Sequence, residues 1–306
     1  MTPAFCVCVP ARNEAARLPA LLGALAEQTI AGPIPVALCI NNSDDGSAAV
    51  ASKAALRWPR LGLHIDERRF AADDAHAGSA RRAAMDLGMS VLDADDGVLV
   101  STDADCRPPS GWIEAILAAM AGDRIVGGRI VIDDLEPLPE PARRLRARWD
   151  RYWDAVRAIE DTIDPQADEV SPRHGDHTGA SLALMVGLYR TCGGVPPIPN
   201  GEDRALVANA VEAGGRLVHP GSVWTRVSPR TEGRALDGMA SDMARLLSDA
   251  ATVAAPLVPS FAQWQERARW RQRLRQGSDG DRAVVRAERD LPPMPHDMPL
   301  PELGTP

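Results

Sequence analysis

The sequence has no basic excess. Its net charge is −8 over 306 residues, which argues against a dedicated nucleic-acid binder, since such proteins present positive surfaces. Met1-Thr-Pro-Ala shows no basic segment followed by an apolar run, so no signal peptide is expected. The longest apolar stretches, such as Ala180 to Tyr189, fall short of the ~20 residues that span a bilayer. The five cysteines, Cys6, Cys8, Cys39, Cys106 and Cys192, are odd in number and lack metal-ligand spacing. Cys6 and Cys8 sit in an apolar run, so buried free thiols and a cytoplasmic setting are expected. The loop Pro10-Ala-Arg-Asn-Glu14 carries no glycine-rich dinucleotide fingerprint, which disfavours a dehydrogenase. It also lacks a glycine- and lysine-bearing phosphate loop, which ranks a nucleotidyltransferase low. No internal repeat is present.

What remains is an ordinary soluble composition, 45% apolar and 25% charged, with enough length for one large domain or two smaller ones. Phe5 to Val9 and Val36 to Ile40 read as buried strands, and Leu61 to Ile65 as a third. Between them lie helical segments: Leu18, Leu21, Leu22 and Leu25 recur at helical spacing, and an alanine-rich helix runs to about Arg57. His76 to Leu92 opens on small residues, carries Arg81 and Arg82, and continues as a helix. This alternation predicts an α/β fold whose mainly parallel sheet has helices on both faces. Ligands in such sheets sit beyond the carboxyl ends of the strands. The polar residues there are Arg12, Asn13 and Glu14, then Asn41, Asn42 and Asp45, then Asp103 and Asp105.

The last pair lies in Gly97-Val-Leu-Val-Ser-Thr-Asp-Ala-Asp-Cys106. Two acids at i and i+2 on an extended chain share a side. Held close they repel, so they are either two solvated acids in a polar turn or a site for a divalent cation. Further on, Gly111 to Met120 reads as a helix and Arg124 to Ile132 as one strand. Residues 133–176 break the alternation and place Trp149, Tyr152 and Trp153 on a helix. These aromatics either pack that helix onto the body or wall an acceptor site. Gly201-Glu-Asp-Arg-Ala-Leu206 starts another helix, and Leu217 to Pro220 and Val223 to Ser228 are short strands. Amphipathic helices are expected over 235–247 and 262–276, the second carrying five arginines from Arg267 to Arg275. That run is either a solvated face or a contact for a partner or acidic lipid, which leaves peripheral membrane contact open. Residues 291–306 are proline-rich and expected to be disordered.

Four stretches in this order carry a resemblance: Val9-Pro-Ala-Arg-Asn-Glu14, Asn41-Asn-Ser-Asp-Asp-Gly-Ser47, Ser101-Thr-Asp-Ala-Asp105 and Gly201-Glu-Asp203. Over about Phe5 to Arg230 the chain resembles the family 2 inverting glycosyltransferases with the Rossmann-like GT-A fold. The resemblance implies a catalytic domain over 1–230 with an acceptor-side helical insertion at 133–176, and a helical extension over 231–290. It implies transfer of a sugar from a UDP- or GDP-type nucleotide-diphosphate sugar to an acceptor hydroxyl, with acceptor unread. Pro10, Arg12, Asn13, Glu14, Asn41, Asn42, Asp45, Arg81 and Asp103 would bind the donor. Asp105, with Asp103, would hold Mn²⁺ or Mg²⁺. Asp203 would be the general base, with Glu202 the neighbouring alternative; both acids also suit a helix N-terminus.

Two departures stand out. The second strand ends in Ile40 and Asn41 where relatives often carry Asp. The Val223 to Arg230 stretch lacks the metal-binding His of many relatives. His219 is a candidate third ligand or a packed strand-end histidine, and His177 is the other candidate. Arg226 and Arg230 are candidates to grip the diphosphate instead. His177, Gly179 and Trp153 are expected on the acceptor side. A catalytically silent nucleotide-sugar-binding module is the competing class.

Overall fold

A continuous apolar run suits a strand covered on both faces. In the computed structural model, which describes residues 3–233, 238–252 and 255–304, such runs build the centre of the main sheet. β1 (Phe5–Ala11) leads into α1 (Leu18–Ala26), which buries all four of its periodic leucines. β2 (Ile34–Asn41), α2 (Ser47–Arg57), β3 (Leu61–Arg68), α3 (Ala77–Leu92) and β4 (Val98–Ser101) continue the alternation. These strands pair in parallel in the order β3-β2-β1-β4. Val7 lies opposite both Val36 and Val100. This register brings the carboxyl ends of β1, β2 and β4, with their polar loops, to one edge. Four of the cysteines, Cys6, Cys8, Cys39 and Cys106, are buried, and all five are free thiols.

Next come β5 (Cys106–Arg107), α4 (Trp112–Ala119), β6 (Arg124–Gly127), β7 (Arg129–Ile132) and α5 (Glu140–Ile163). β8 (Leu182–Met185), α6 (Val186–Thr191), α7 (Glu202–Glu212), β9 (Arg216–Val218) and β10 (Trp224–Val227) follow. The seven-stranded main sheet is completed as β4-β8-β6-β9, with β8 antiparallel to both neighbours. A smaller sheet has the order β5-β10-β7. The single strand expected over Arg124 to Ile132 is therefore two strands in two sheets. The break falls at Gly127 and Gly128, where the backbone runs hard against the 176–181 segment. A Cβ on Gly127 would lie 2.5 Å from the Asp176 carbonyl oxygen, and one on Gly128 2.1 Å from Ser181 Oγ.

The remaining elements are α8 (Met239–Ala250), β11 (Leu257–Val258), α9 (Phe261–Arg275), α10 (Asp281–Arg289) and β12 (Met298–Pro299). The helix expected from residue 235 starts at Met239; residues 234–237 lie outside the described residues. α5 and this extension form one helical layer, in which Leu145, Tyr152 and Val156 pack with Met243, Leu246, Val258 and Leu300. Tyr152 is fully buried, its hydroxyl donating to the Pro259 carbonyl at 2.7 Å and accepting from Trp264 Nε1 at 2.7 Å. Trp153 stays 39% exposed.

The arginines of α9 divide. Arg271 pairs with Glu160 of α5 at 2.7 Å, Arg275 pairs with Asp164, and Arg267 reaches Glu288 at 3.7 Å. These three clamp helices together, so the solvated-face expectation fails for them. The expected disordered tail is also corrected: β12 pairs with β11, and Leu300 is 1% exposed. Proline content signalled disorder, but Met298 and Leu300 supply apolar anchors for the described part, which ends at residue 304. Among the described residues no helix is long and apolar enough to cross a membrane.

Candidate active site

A cavity of about 500 Å³ opens at the carboxyl edge of β1, β2 and β4, within the range of small-molecule sites. Pro10, Arg12, Glu14, Asn41, Arg81, Asp103, Asp105, Gly179, Glu202, Asp203 and Arg230 all line it. The loops after β1 and β2 are locked to each other. Asn13 and Asn42 have φ of 52° and 44°, the left-handed region that asparagine tolerates better than most residues. Asn13 Oδ1 accepts from the Asp44 N–H at 2.9 Å, and the Asn13 N–H donates to Ser43 Oγ at 2.9 Å. Asp45 accepts from Ser47 Oγ at 2.6 Å, the Ser47 N–H at 3.0 Å and the Ala15 N–H at 2.8 Å. Burial pushes its carboxyl up, but these bonds outweigh that and hold it below the usual carboxylate range. Asn42 exchanges two 3.0 Å bonds with the Phe70 backbone. Asn13, Asn42 and Asp45 thus fasten the loops. Arg12 donates to the Ala75 carbonyl at 2.8 Å, tying in the approach to α3.

Arg81 is the joint of the site. Its side chain is 6% exposed, and it reaches four groups from three parts of the chain. It donates to Glu202 Oε1 at 3.0 Å, Ser101 Oγ at 2.9 Å, the Gly179 carbonyl at 3.1 Å and Asp103 Oδ1 at 2.9 Å. Burial opposes its charge, but Asp103 and Glu202 raise its pKa further above the ordinary arginine value. Arg81 therefore stays a cation that fixes the Asp103 carboxylate relative to the start of α7. Gly179 is required here: a Cβ on it would lie 2.1 Å from Arg81 Cζ.

Arg230 forms a second bridge, to Glu14 at 2.7 Å and Asp105 at 2.9 Å. Burial raises the Asp105 carboxyl to about 6, with Arg230 opposing and Asp103 and Glu14 adding to the rise. Ligand atoms of Asp103, Asp105 and Cys106 lie within 4.8 Å of one another. The two carboxylates suit a hard divalent cation such as Mg²⁺ or Mn²⁺. Cys106 does not, because burial pushes its thiol well up and keeps it protonated. His219 is not among the residues lining this cavity. Its Nδ1 meets Glu169 Oε1 at 2.5 Å, and its ring packs on His174 and His177 at 5.4 and 5.8 Å.

At the other side, Gly201 turns the chain with φ of 75° into α7. Glu202 is buried against Arg81, whereas Asp203 faces the cavity. Asp203 accepts from the Gly179 N–H at 2.9 Å and the Arg204 N–H at 2.8 Å. Other expected residues stand apart. Arg226 pairs with Asp134 at 3.3 Å and covers the Trp224 ring, and His177 lies against the Gly175 carbonyl at 3.0 Å. Trp153 lines a second cavity. Sequence reasoning missed Ser101 as an Arg81 partner, and Met239, Ala240 and Asp242 of α8 as wall residues. The polar Ser101 at the end of an apolar strand was the available signal for the first; α8 offered none.

The model of the family "Glycosyl transferase family 2" matches residues 6–167. No curated protein sequence matches the chain. Among solved structures, residues 1–349 of S. aureus TarS, in complex with UDP-GlcNAc, superpose with a TM-score of 0.55 at 15% identity, covering 90% of this chain and 73% of that one. The mannosyltransferase PcManGT from Pyrobaculum calidifontis, in complex with GDP-Man and Mn²⁺, gives 0.54 at 16% identity, covering 94% and 79%. At these identities the likeness shows the fold, a GT-A architecture. With that architecture in place and the family match spanning more than half its length, the chain belongs to glycosyl transferase family 2.

Proposed function

We propose that the chain transfers a sugar from a UDP- or GDP-type nucleotide-diphosphate sugar to an acceptor hydroxyl by one in-line displacement with inversion. Asp203 acts as general base, and Asp105 with Asp103 holds Mn²⁺ or Mg²⁺. One observation carries the reading: the Asp-X-Asp pair and Asp203 line one cavity, and Arg81 and Glu202 brace them against each other. The nucleotide sugars bound in TarS and PcManGT support the donor class, and the Mn²⁺ of PcManGT supports the cation.

A divalent cation at the two carboxylates supplies charge neutralisation for a departing diphosphate. The chain's own residues do the rest. Glu14, Asn41 and Arg12 wall the nucleotide side. Arg230 lies across Glu14 and Asp105, where its remaining N–H groups can donate to phosphate oxygens. Asp203 takes the proton of the acceptor hydroxyl as that oxygen attacks the anomeric carbon. Each Asp203 oxygen accepts one backbone N–H, so a second lone-pair direction stays available on each. Glu202 is fixed to buried Arg81 and serves to hold the frame. Asp203→Asn is expected to cut donor turnover by roughly 10²–10⁴-fold while retaining nucleotide-sugar stabilisation in thermal melts with Mn²⁺. Wild-type turnover in that variant would rule out the assigned base.

A further inference from the structure

A second cavity of about 640 Å³ opens between β7 and α5. It adjoins the first. Ile130 lines both, and the 174–180 segment divides them, with His174, Gly175 and Asp176 on one side and Thr178, Gly179 and Ala180 on the other. Asp203 is hydrogen-bonded to that dividing segment through Gly179. Asp203 and the second cavity thus border the same segment.

The lining states the chemistry. Five aspartates and four arginines line the cavity, so it offers no cation excess to an anionic guest. Several of these charges are already paired: Arg146 with Asp150 of the same lining at 2.8 Å, and Asp133 with Arg107 outside it at 2.6 Å. Among the described residues Arg129, Asp154 and Asp176 are lining groups with no ion-pair partner, one cation and two acids, and Asp176 accepts from the Ile130 N–H at 3.0 Å. Trp153 is the aromatic member, held edge-on by Tyr152 at 5.2 Å and Trp264 at 5.6 Å. A rigid indole set among planar donors and acceptors suits a neutral polyhydroxylated ring, which offers C–H faces and hydroxyls together.

We infer that this cavity is the acceptor site and that the acceptor is a neutral carbohydrate, with a sugar ring against Trp153. The inference rests on the sugar-transfer reading above. In that reaction the acceptor O–H bond breaks and its proton passes to Asp203. The acceptor oxygen bonds to the anomeric carbon, and the nucleoside diphosphate leaves with the electron pair of the broken C–O bond.

The test uses saturation-transfer NMR on the full chain with UDP or GDP present. The probes are cellobiose, maltose, chitobiose and mannobiose, with glycerol phosphate as an anionic comparison. Ala147→Trp fills the cavity from α5, and Arg129→Leu removes its unpaired cation without adding bulk. At least one disaccharide takes up saturation from the wild type, with a Kd raised about tenfold or more in both variants. Absent uptake, uptake undiminished in the variants, or binding of glycerol phosphate alone overturns the inference. If Ala147→Trp does not fold, Arg129→Leu decides. Thermal stabilisation by nucleotide, read on the same samples, tests the donor reading separately from the sugar contact.

Discussion

Alanine at position 179 would place its Cβ 2.1 Å from Arg81 Cζ and 2.4 Å from each terminal nitrogen of that guanidinium. Ordinary carbon contacts lie near ~3.5–4.0 Å, so something must move by more than an ångström. Arg81 has nowhere to go, because its side chain is 6% exposed and tied to Glu202, Ser101 and Asp103. If Arg81 is expelled, Glu202, 7% exposed, is left as an unpaired buried charge at a cost of about 3–5 kcal/mol. If the 174–180 segment retreats instead, the Gly179 N–H bond to Asp203 and the Arg81 bond to the Gly179 carbonyl are lost. Bonds to charged groups are worth ~1.5–3 kcal/mol each, so that route costs a similar amount. Gly179→Ala is therefore expected to lose about 3–5 kcal/mol in urea unfolding, and to lose donor turnover beyond what stability explains. A variant within ~0.5 kcal/mol of wild type and with full turnover would refute Arg81 as the brace between the two acidic groups.

Two further outcomes follow from named contacts. Burial pushes the Glu160 carboxyl up, but Arg157, Arg271 and Arg173 outweigh that and hold it below the ordinary glutamate range. Its stabilisation is therefore present above the unfolded value of ~4.3 and is lost as pH falls through the lower folded value. Denaturant melts should show Glu160→Gln about 3–5 kcal/mol less stable at neutral pH, with a shallower loss on acidification; an unchanged acid slope would contradict this. Asp105→Asn should weaken Mn²⁺ binding roughly tenfold or more in calorimetry with nucleoside diphosphate present, since ligand charge sets affinity in such sites; equal affinity would remove Asp105 from the ligand set.

The parts of this fold that were legible in the sequence are those written locally. β1, β2 and β4 are apolar runs ending in polar loops, and parallel pairing at matching register carries those loops to one edge. Glu202 and Asp203 were readable because a glycine turn and a helix start adjoin them in the chain. Arg81 was legible as an arginine near the start of a helix and, through the resemblance, as a donor-side residue, but not as a brace. Its partner Glu202 lies 121 residues away, and no local pattern reports such a pair. The breaks at Gly127 and Gly128 were hidden for the same reason, since their cause is the 176–181 backbone. The arginines of α9 looked solvent-facing because their acids, Glu160 and Asp164, sit on another helix. Proline content suggested disorder because composition counts prolines but not the place that Leu300 finds in the apolar cluster shared by α5 and the C-terminal extension.

The central claim is a single displacement opposite the leaving group, with Asp203 taking the proton. Water can stand in for the acceptor, so the claim is open to test before the acceptor is known. Proton NMR would follow the sugar freed from an α-linked UDP- or GDP-sugar with Mn²⁺, recorded faster than the product's anomers interconvert. The first sugar released is expected to be the β-anomer. Initial release of the α-anomer would contradict the claim.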